Sequence, residues 1–308
     1  MSKPTYIAYL PHGVNEKYFF PIEEGTPTYK DYVKYKTNFD KDNPNDFVIL
    51  WNNRNIRRKQ PGDVILAYKT FCDKLSAEQA KRVYLFMHTA IIDENGTDLL
   101  AVKDAICPNY NIIFSKDKIP TAALNFYYNL ADVTVNIASN EGFGISGIES
   151  LMAGTPIINN VTGGLQDHCR FEDEKGNWIN FNSEFTSNHT GQYRLHGQWV
   201  KPVFPTSRSL QGSPITPYIF DDRCKYEDVA DALMYWYSKS REERKAAGLK
   251  GREWVLSDES KMSAKAMCES FKKHLSFIIE NNVKPDKFSL EKVQVQEIKQ
   301  HKHLGITL

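Results

Sequence analysis

Between residues 47 and 160, short apolar runs alternate with stretches whose apolar positions recur at helical spacing. FVILW (47–51) is continuously apolar, as a strand buried on both faces requires. Val64, Ile65, Ala67, Tyr68 and Phe71 then mark a helix over about 62–75. RVYLFMH (82–88) reads as the next strand, and TDLLAVKDAIC (97–107) as a helix with Thr97 at its N-cap. YNIIF (110–114) predicts a strand and IPTAALNFYYNLA (119–131) a helix opened by Pro120. DVTVNIA (132–138) is a strand, GISGIESLMAG (144–154) a helix ended at Gly154, and TPIINN (155–160) a further strand. This alternation implies an α/β fold: a Rossmann-like parallel sheet with helices on both faces.

The pattern dissolves from about 171 to 220, a stretch rich in Asn, Ser, Thr, Gly, Pro and aromatic residues. Loops of that length in compact domains are functional or are insertions with their own small structure. Helices resume at about 226–238, 241–256 and 259–282, and a polar tail runs from Pro285 to Leu308. Lys+Arg (39) and Asp+Glu (38) nearly cancel over 308 residues, which argues against a nucleic-acid binder with a broad basic surface. No run approaches the roughly 18 apolar residues of a membrane span, and the N-terminus lacks a signal-peptide core. Cys72, Cys107, Cys169, Cys224 and Cys268 are widely spaced, without a CxxC. Neither a zinc site nor a disulfide framework is indicated, and a cytoplasmic location is expected.

Candidate chemistry concentrates in ADVTVNIASNEGFGISGIESLMAGTPIINNVTGGLQD (131–167). Gly142 and Gly144 stand where a strand hands over to a helix, so backbone N–H groups can approach a ligand closely. A helix start offers unpaired N–H donors and the positive end of the macrodipole, suited to a diphosphate. Glu141 and Glu149 frame this loop, and carboxylates accept from pairs of sugar hydroxyls. Together these features describe a nucleotide-sugar site. The alternative is an ordinary strand–helix turn with solvated glutamates.

SNEGFGISGIESLMAGTPII resembles the E-x7-E signature of retaining glycosyltransferases of the GT-B fold, in particular family 4. YYNLADVTVNIAS before it and VTGGLQD after it resemble that family's flanking segments. IAYLPHGVNEKYFFP (7–21) resembles the start of the C-terminal half of these enzymes, and FVILWNNRNIRRKQPGDVILAY (47–68) their strand followed by an Arg and a Lys. The resemblance implies that Arg54 and Lys59 contact the donor diphosphate, a role that Arg57 or Arg58 could share. It implies that Glu141 contacts the transferred sugar and Glu149 the ribose. It further assigns backbone contacts to Gly142, Phe143, Gly144 and Ile145, and places the base near Phe114 and Ser115. Ser139 lies in the loop before the motif.

The resemblance also implies a nucleotide-diphosphate sugar as donor, with no cofactor and no metal. It begins at the very start of the chain, so the N-terminal, acceptor-binding half is expected elsewhere, on a longer gene product or a partner polypeptide. Residues 1–284 are then the donor domain, with the insertion at about 171–220 and the tail at 285–308. Alternatives are a non-catalytic GT-B-like module or another GT-B chemistry such as a phosphorylase or epimerase. His12, His88, His168 and Cys169 read as structural, Asp221–Asp222 as a turn approaching a helix, and Tyr235, Trp236 and Tyr237 as packing. Trp178, Tyr193 and Trp199 either stack on an acceptor or form local core.

Overall fold

The computed structural model describes residues 6–115, 118–179, 185–212 and 214–281. The elements follow in the order α1 (Tyr29–Asp42), β1 (Phe47–Asn52), α2 (Pro61–Cys72), α3 (Ala77–Ala80), β2 (Val83–His88), α4 (Leu99–Ile106) and β3 (Asn111–Ser115). After them come α5 (Thr121–Leu130), β4 (Val133–Asn136), α6 (Ile145–Met152), β5 (Ile157–Asn160) and β6 (Val200–Val203). The chain closes with β7 (Ser207–Gln211), β8 (Ile219–Arg223), α7 (Tyr226–Tyr237), α8 (Arg241–Val255) and α9 (Ala264–Glu280). Six strands form one sheet in the order β3-β2-β1-β4-β5-β6, and every pairing is parallel. The Rossmann-like α/β architecture is therefore as the alternating pattern predicts.

Period-2 alternation sorts the core into two layers. Phe47, Ile49 and Trp51 of β1 face one way, into a cluster with Ile65, Tyr68 and Phe71 of α2 and Leu233 and Trp236 of α7. Val48 and Leu50 face the other way, with Tyr128 of α5, Ile148 and Leu151 of α6, and Trp254 of α8. Both faces of β1 are thus fully buried, which is why its sequence shows no polar alternation. Trp199 stacks on Trp254 with ring centroids 5.1 Å apart, and Trp178 meets Trp254 edge-on, so these two tryptophans belong to local core.

Three features depart from the expected pattern. Helix α1 precedes β1; it is charged and buries only Tyr32 fully, but Tyr35 and Phe39 continue the same face onto Tyr127, Tyr84 and Phe86. Inside the stretch that reads as irregular, Val200–Val203 adds a sixth parallel strand beside β5. Its four residues, VKPV, are too short and mixed to show a period, and Pro202 suits an edge strand. After it, Ser207–Gln211 and Ile219–Arg223 pair as an antiparallel hairpin, β7–β8, which places Asp221–Asp222 on a strand instead of a turn. Smaller shifts follow from caps: Asp98, not Thr97, accepts from the N–H groups of Leu100 and Ala101, and Pro120 occupies the cap before α5. The tail at 285–308 lies outside the described residues.

Below the sheet, Asp132 accepts from Val48 N (2.9 Å) and pairs with Arg244 (2.9 Å), whose guanidinium also reaches the carbonyls of Trp236 and Lys239. Both side chains are buried. Asp132→Ala should therefore destabilise the fold by about 3–5 kcal/mol in chemical denaturation, because a buried guanidinium loses its counter-charge. A loss under about 1 kcal/mol would show that water replaces the pair.

At the start of the chain, Tyr9 donates to Asp167 Oδ2 (2.8 Å), and burial pushes the Asp167 carboxyl up to about 6. The raised value means that the fold favours the protonated acid. Its contribution is full below the ordinary carboxylate range near 4 and is lost as pH rises through about 6. Asp167→Asn should match the wild type near pH 3.5 and exceed its stability by about 3 kcal/mol at pH 7. Denaturation curves at both pH values check this; a difference that does not grow with pH contradicts it.

Candidate functional site

The strand order reverses between β1 and β4, where helices leave the sheet in opposite directions and their loops splay apart. The loop after β1 carries four basic residues, Arg54, Arg57, Arg58 and Lys59. The loop after β4 carries Ser139, Asn140, Glu141 and the glycine turn. A cleft of about 670 Å³ opens there, lined by Asn52, Arg54, Lys59, Glu141, Gly142 to Ser146, Glu149 and His12.

Backbone hydrogen bonds fix the two loops against each other. Ser139 N donates to Arg58 O (2.7 Å), and Asn55, fully buried, ties the first loop to the carbonyls of Ile91 and Thr97. Gln60 takes a left-handed conformation (φ 55°), which ends the turn at Lys59 and launches α2 at Pro61. Non-glycine residues held there carry strain that packing must offset.

Carboxylates sort the four cations. Arg54 turns to Asp93 (2.8 Å) at the cleft rim, with its side chain 61% exposed. Arg57 pairs with Asp221. Arg58 Nη1 donates to Glu141 Oε2 (3.0 Å), and Lys59 Nζ contacts the same oxygen. Arg54 and Lys59 thus both line the cleft, but Arg58, not Arg54, joins Lys59 on Glu141. Burial pushes the Glu141 carboxyl up, yet the hydrogen bond from Lys59 and the charges of Lys59 and Arg58 outweigh it and hold the group below its ordinary value.

Gly144 has φ 86°, and a Cβ there would lie 2.4 Å from Leu165. It precedes Ile145, the first residue of α6, and no side chain caps that helix. The turn is braced from behind by Gly163 and Gly164: Gly164 N donates to Glu141 O (3.0 Å), and Cβ atoms on either glycine would collide with the carbonyls of Glu141 and Gly142. Phe143 lies between His12 and His168, edge-on to both at 5.2 Å. His168 is fully buried, and burial draws its imidazole down to about 3. Ile145 is half exposed at the mouth.

One turn of helix further in, Glu149 accepts from the Tyr128 hydroxyl (2.6 Å), which itself accepts from Asn52 Nδ2 (2.8 Å). Burial pushes the Glu149 carboxyl up, and the Tyr128 bond opposes that only in part. Phe114 is not among the cleft-lining residues; its ring packs into the core beside β3, and Ser115 bonds to His88 and Tyr127.

Tyr128, Asn52, Asn140 and Asp221 were not singled out for the site from sequence. Asn140 Nδ2 donates to Asp221 Oδ1 (2.6 Å), and Asp222 N donates to Ser139 O (2.7 Å), so the β7–β8 hairpin reaches the cleft loop from more than eighty residues away. Nothing local marks such a pair, and the tandem aspartates by themselves read as a turn. Among the described residues no cluster of three or more His, Cys, Asp or Glu gathers as metal ligands would, and no helix is long and apolar enough to cross a membrane.

With this geometry in place, comparison with known proteins gives a consistent result. Residues 36–185 match the family model for glycosyl transferases group 1. No curated protein matches the chain in sequence. Sucrose-phosphate synthase from Thermosynechococcus elongatus superposes with a TM-score of 0.59 at 17% identity, over 89% of this chain and 53% of that one. A glycosyltransferase from Rickettsia africae ESF-5 gives 0.58 at 18% identity, over 88% and 57%. Anabaena HepE, solved in complex with UDP and glucose, gives 0.58 at 12% identity, over 87% and 56%. Identities this low speak for the fold alone, and the chain spans about half the length of these structures. Residues 36–185 thus resemble a glycosyl transferases group 1 domain, and they fold on the Rossmann-like parallel sheet that the GT-B structures share.

Proposed function

We propose that this chain is the donor-binding half of a retaining, family 4-type glycosyltransferase that uses a nucleotide-diphosphate sugar. The observation that carries the reading is the convergence of Lys59 and Arg58 on Glu141 at the reversal of strand order, beside the uncapped start of α6. In this reading Glu141 and Glu149 are the E-x7-E pair. The diphosphate rests on the first N–H groups of α6 and on the Lys59 and Arg58 cations, with Arg54 at the rim. Glu149, oriented by Tyr128, accepts from the ribose hydroxyls. Glu141, freed from the cations as the diphosphate takes its place, accepts from hydroxyls of the transferred sugar.

As the sugar–phosphate bond breaks, negative charge grows on the departing diphosphate, and fixed cations in a partly desolvated cleft stabilise it. Transfer to the same face of the sugar retains configuration. Two cations with five and three donors neutralise a diphosphate without a metal ion. The structure of HepE with UDP and glucose supports a nucleotide-sugar as the ligand class. An acceptor-binding half, on the same gene product or a partner polypeptide, completes the cleft. In support, α9 carries Phe271, Leu275, Ile278 and Ile279 exposed along one side, an apolar stripe suited to burial against such a half. Five free cysteines, three of them buried, suit a reducing cytoplasm.

Calorimetric titration with UDP-, GDP- and ADP-sugars tests the donor reading. Glu149→Ala should weaken binding about ten- to a hundredfold, since a lost charged hydrogen bond is worth about 1.5–3 kcal/mol. Glu141→Ala should weaken the intact donor more than the free nucleoside diphosphate, and chelator should change neither affinity. Full affinity in folded Glu149→Ala, equal losses in Glu141→Ala, or collapse with chelator each contradict the corresponding assignment.

A transfer assay tests the two-half reading. These 308 residues alone should transfer no sugar, because positioning of the acceptor contributes about 7–11 kcal/mol to such barriers. Adding the candidate N-terminal half should restore turnover. Robust turnover by the chain alone would mean that the acceptor site lies within it.

A further inference from the structure

We infer that Asp221, on the β7–β8 hairpin, is a positioning residue that sets the cation pair and Glu141 for the donor diphosphate; the inference rests on the donor reading above. Its carboxylate is 2% exposed and places one oxygen on each of the two loops that flank the cleft. Oδ2 takes the Arg57 guanidinium from the loop after β1, and Oδ1 accepts from Asn140 Nδ2 in the loop after β4. Arg57 is directly followed by Arg58 and Lys59, and Asn140 directly precedes Glu141. A single buried carboxylate therefore spans the two loops, one residue away from the groups that meet across the cleft.

Charge explains why an aspartate stands there. Without it, Arg57 would be a third free cation beside Arg58 and Lys59, and it would compete for Glu141. With it, Arg57 is neutralised by Asp221, and Arg58 and Lys59 are left to hold Glu141. The hairpin is held firmly enough to act as an anchor. Asp222 accepts from Thr162 Oγ1 (2.8 Å) and Arg208 Nε (2.9 Å), its carbonyl accepts from Asn160 Nδ2 (2.7 Å), and its N–H holds Ser139. The insertion thus reaches back as a brace for the donor loop. Removing the carboxylate leaves the Asn140 amide without this acceptor and lets both loops drift, where displacement of about 1 Å is enough to weaken a preorganised site.

The test measures affinities for three fragments of the best-bound donor: the nucleotide sugar, the nucleoside diphosphate and the nucleoside monophosphate. Asp221→Ala should weaken the first two about tenfold and leave the monophosphate unchanged, because the Glu149 end of the cleft does not touch Asp221. Asp221→Asn keeps an oxygen for Asn140 but no charge for Arg57, and should recover part of the loss. If Asp221→Ala does not fold, Arg57→Gln removes the link to the first loop from a side chain that is 58% exposed; it frees no competing cation, so it should weaken the same two fragments by less and leave the monophosphate unchanged. Equal weakening of all three fragments would mark a general structural defect and overturn the inference. So would unchanged affinities in variants assayed beside a Glu149→Ala control that does lose binding. Wild-type protein that binds no fragment at all would overturn the donor reading itself, and this inference with it.

Discussion

A half-buried carboxylate held between two cations organises the cleft. Taking Glu141 and Lys59 largely out of water costs several kcal/mol per charge unless each finds its partner with good geometry. The partners come from loops that follow different strands, so their meeting depends on the register of β1 against β4, where Ile49 faces Val133 and Leu50 faces Thr134. The two loops are then locked by the Ser139–Arg58 backbone bond and by the glycine pair under Glu141. Rigid scaffolding of this kind is what allows charge to be held ready for a ligand.

Burial acts in opposite senses on the two glutamates, and their neighbours decide the outcome. Glu141 sits between cations, which outweigh burial and hold its carboxyl below the ordinary value. Glu149 has only a phenol hydroxyl for company, and its carboxyl is pushed up. Two acidic side chains on one turn and helix thereby acquire different chemistry: one suited to exchanging partners with an incoming anion, the other to neutral hydroxyls.

The hairpin β7–β8 gives the irregular stretch a purpose in the fold. It begins after an edge strand whose Pro202 discourages further pairing, and it turns back toward the loop after β4 instead of extending the sheet. Its aspartates hold the loop after β4 and the Arg57 side chain, while its apolar residues Leu210, Tyr218 and Phe220 stay exposed.

By itself the sequence determined the parallel sheet, the position of the glycine turn and the spacing of Glu141 and Glu149, because each of these is local: buried runs lack polar alternation, and a tight strand–helix turn needs glycine. The charged helix α1 and the four-residue β6 stayed hidden, since their apolar positions are too few to show a period. Arg54, Arg57, Arg58 and Lys59 lie within six positions of one another, and nothing in their order says which of them meets Glu141. Only the tertiary structure decided that. Asp93 and Asp221 arrive from distant parts of the chain, each takes one arginine, and the two cations left over meet Glu141. Charge pairing is a contest among all groups within reach, and reach is set by the fold.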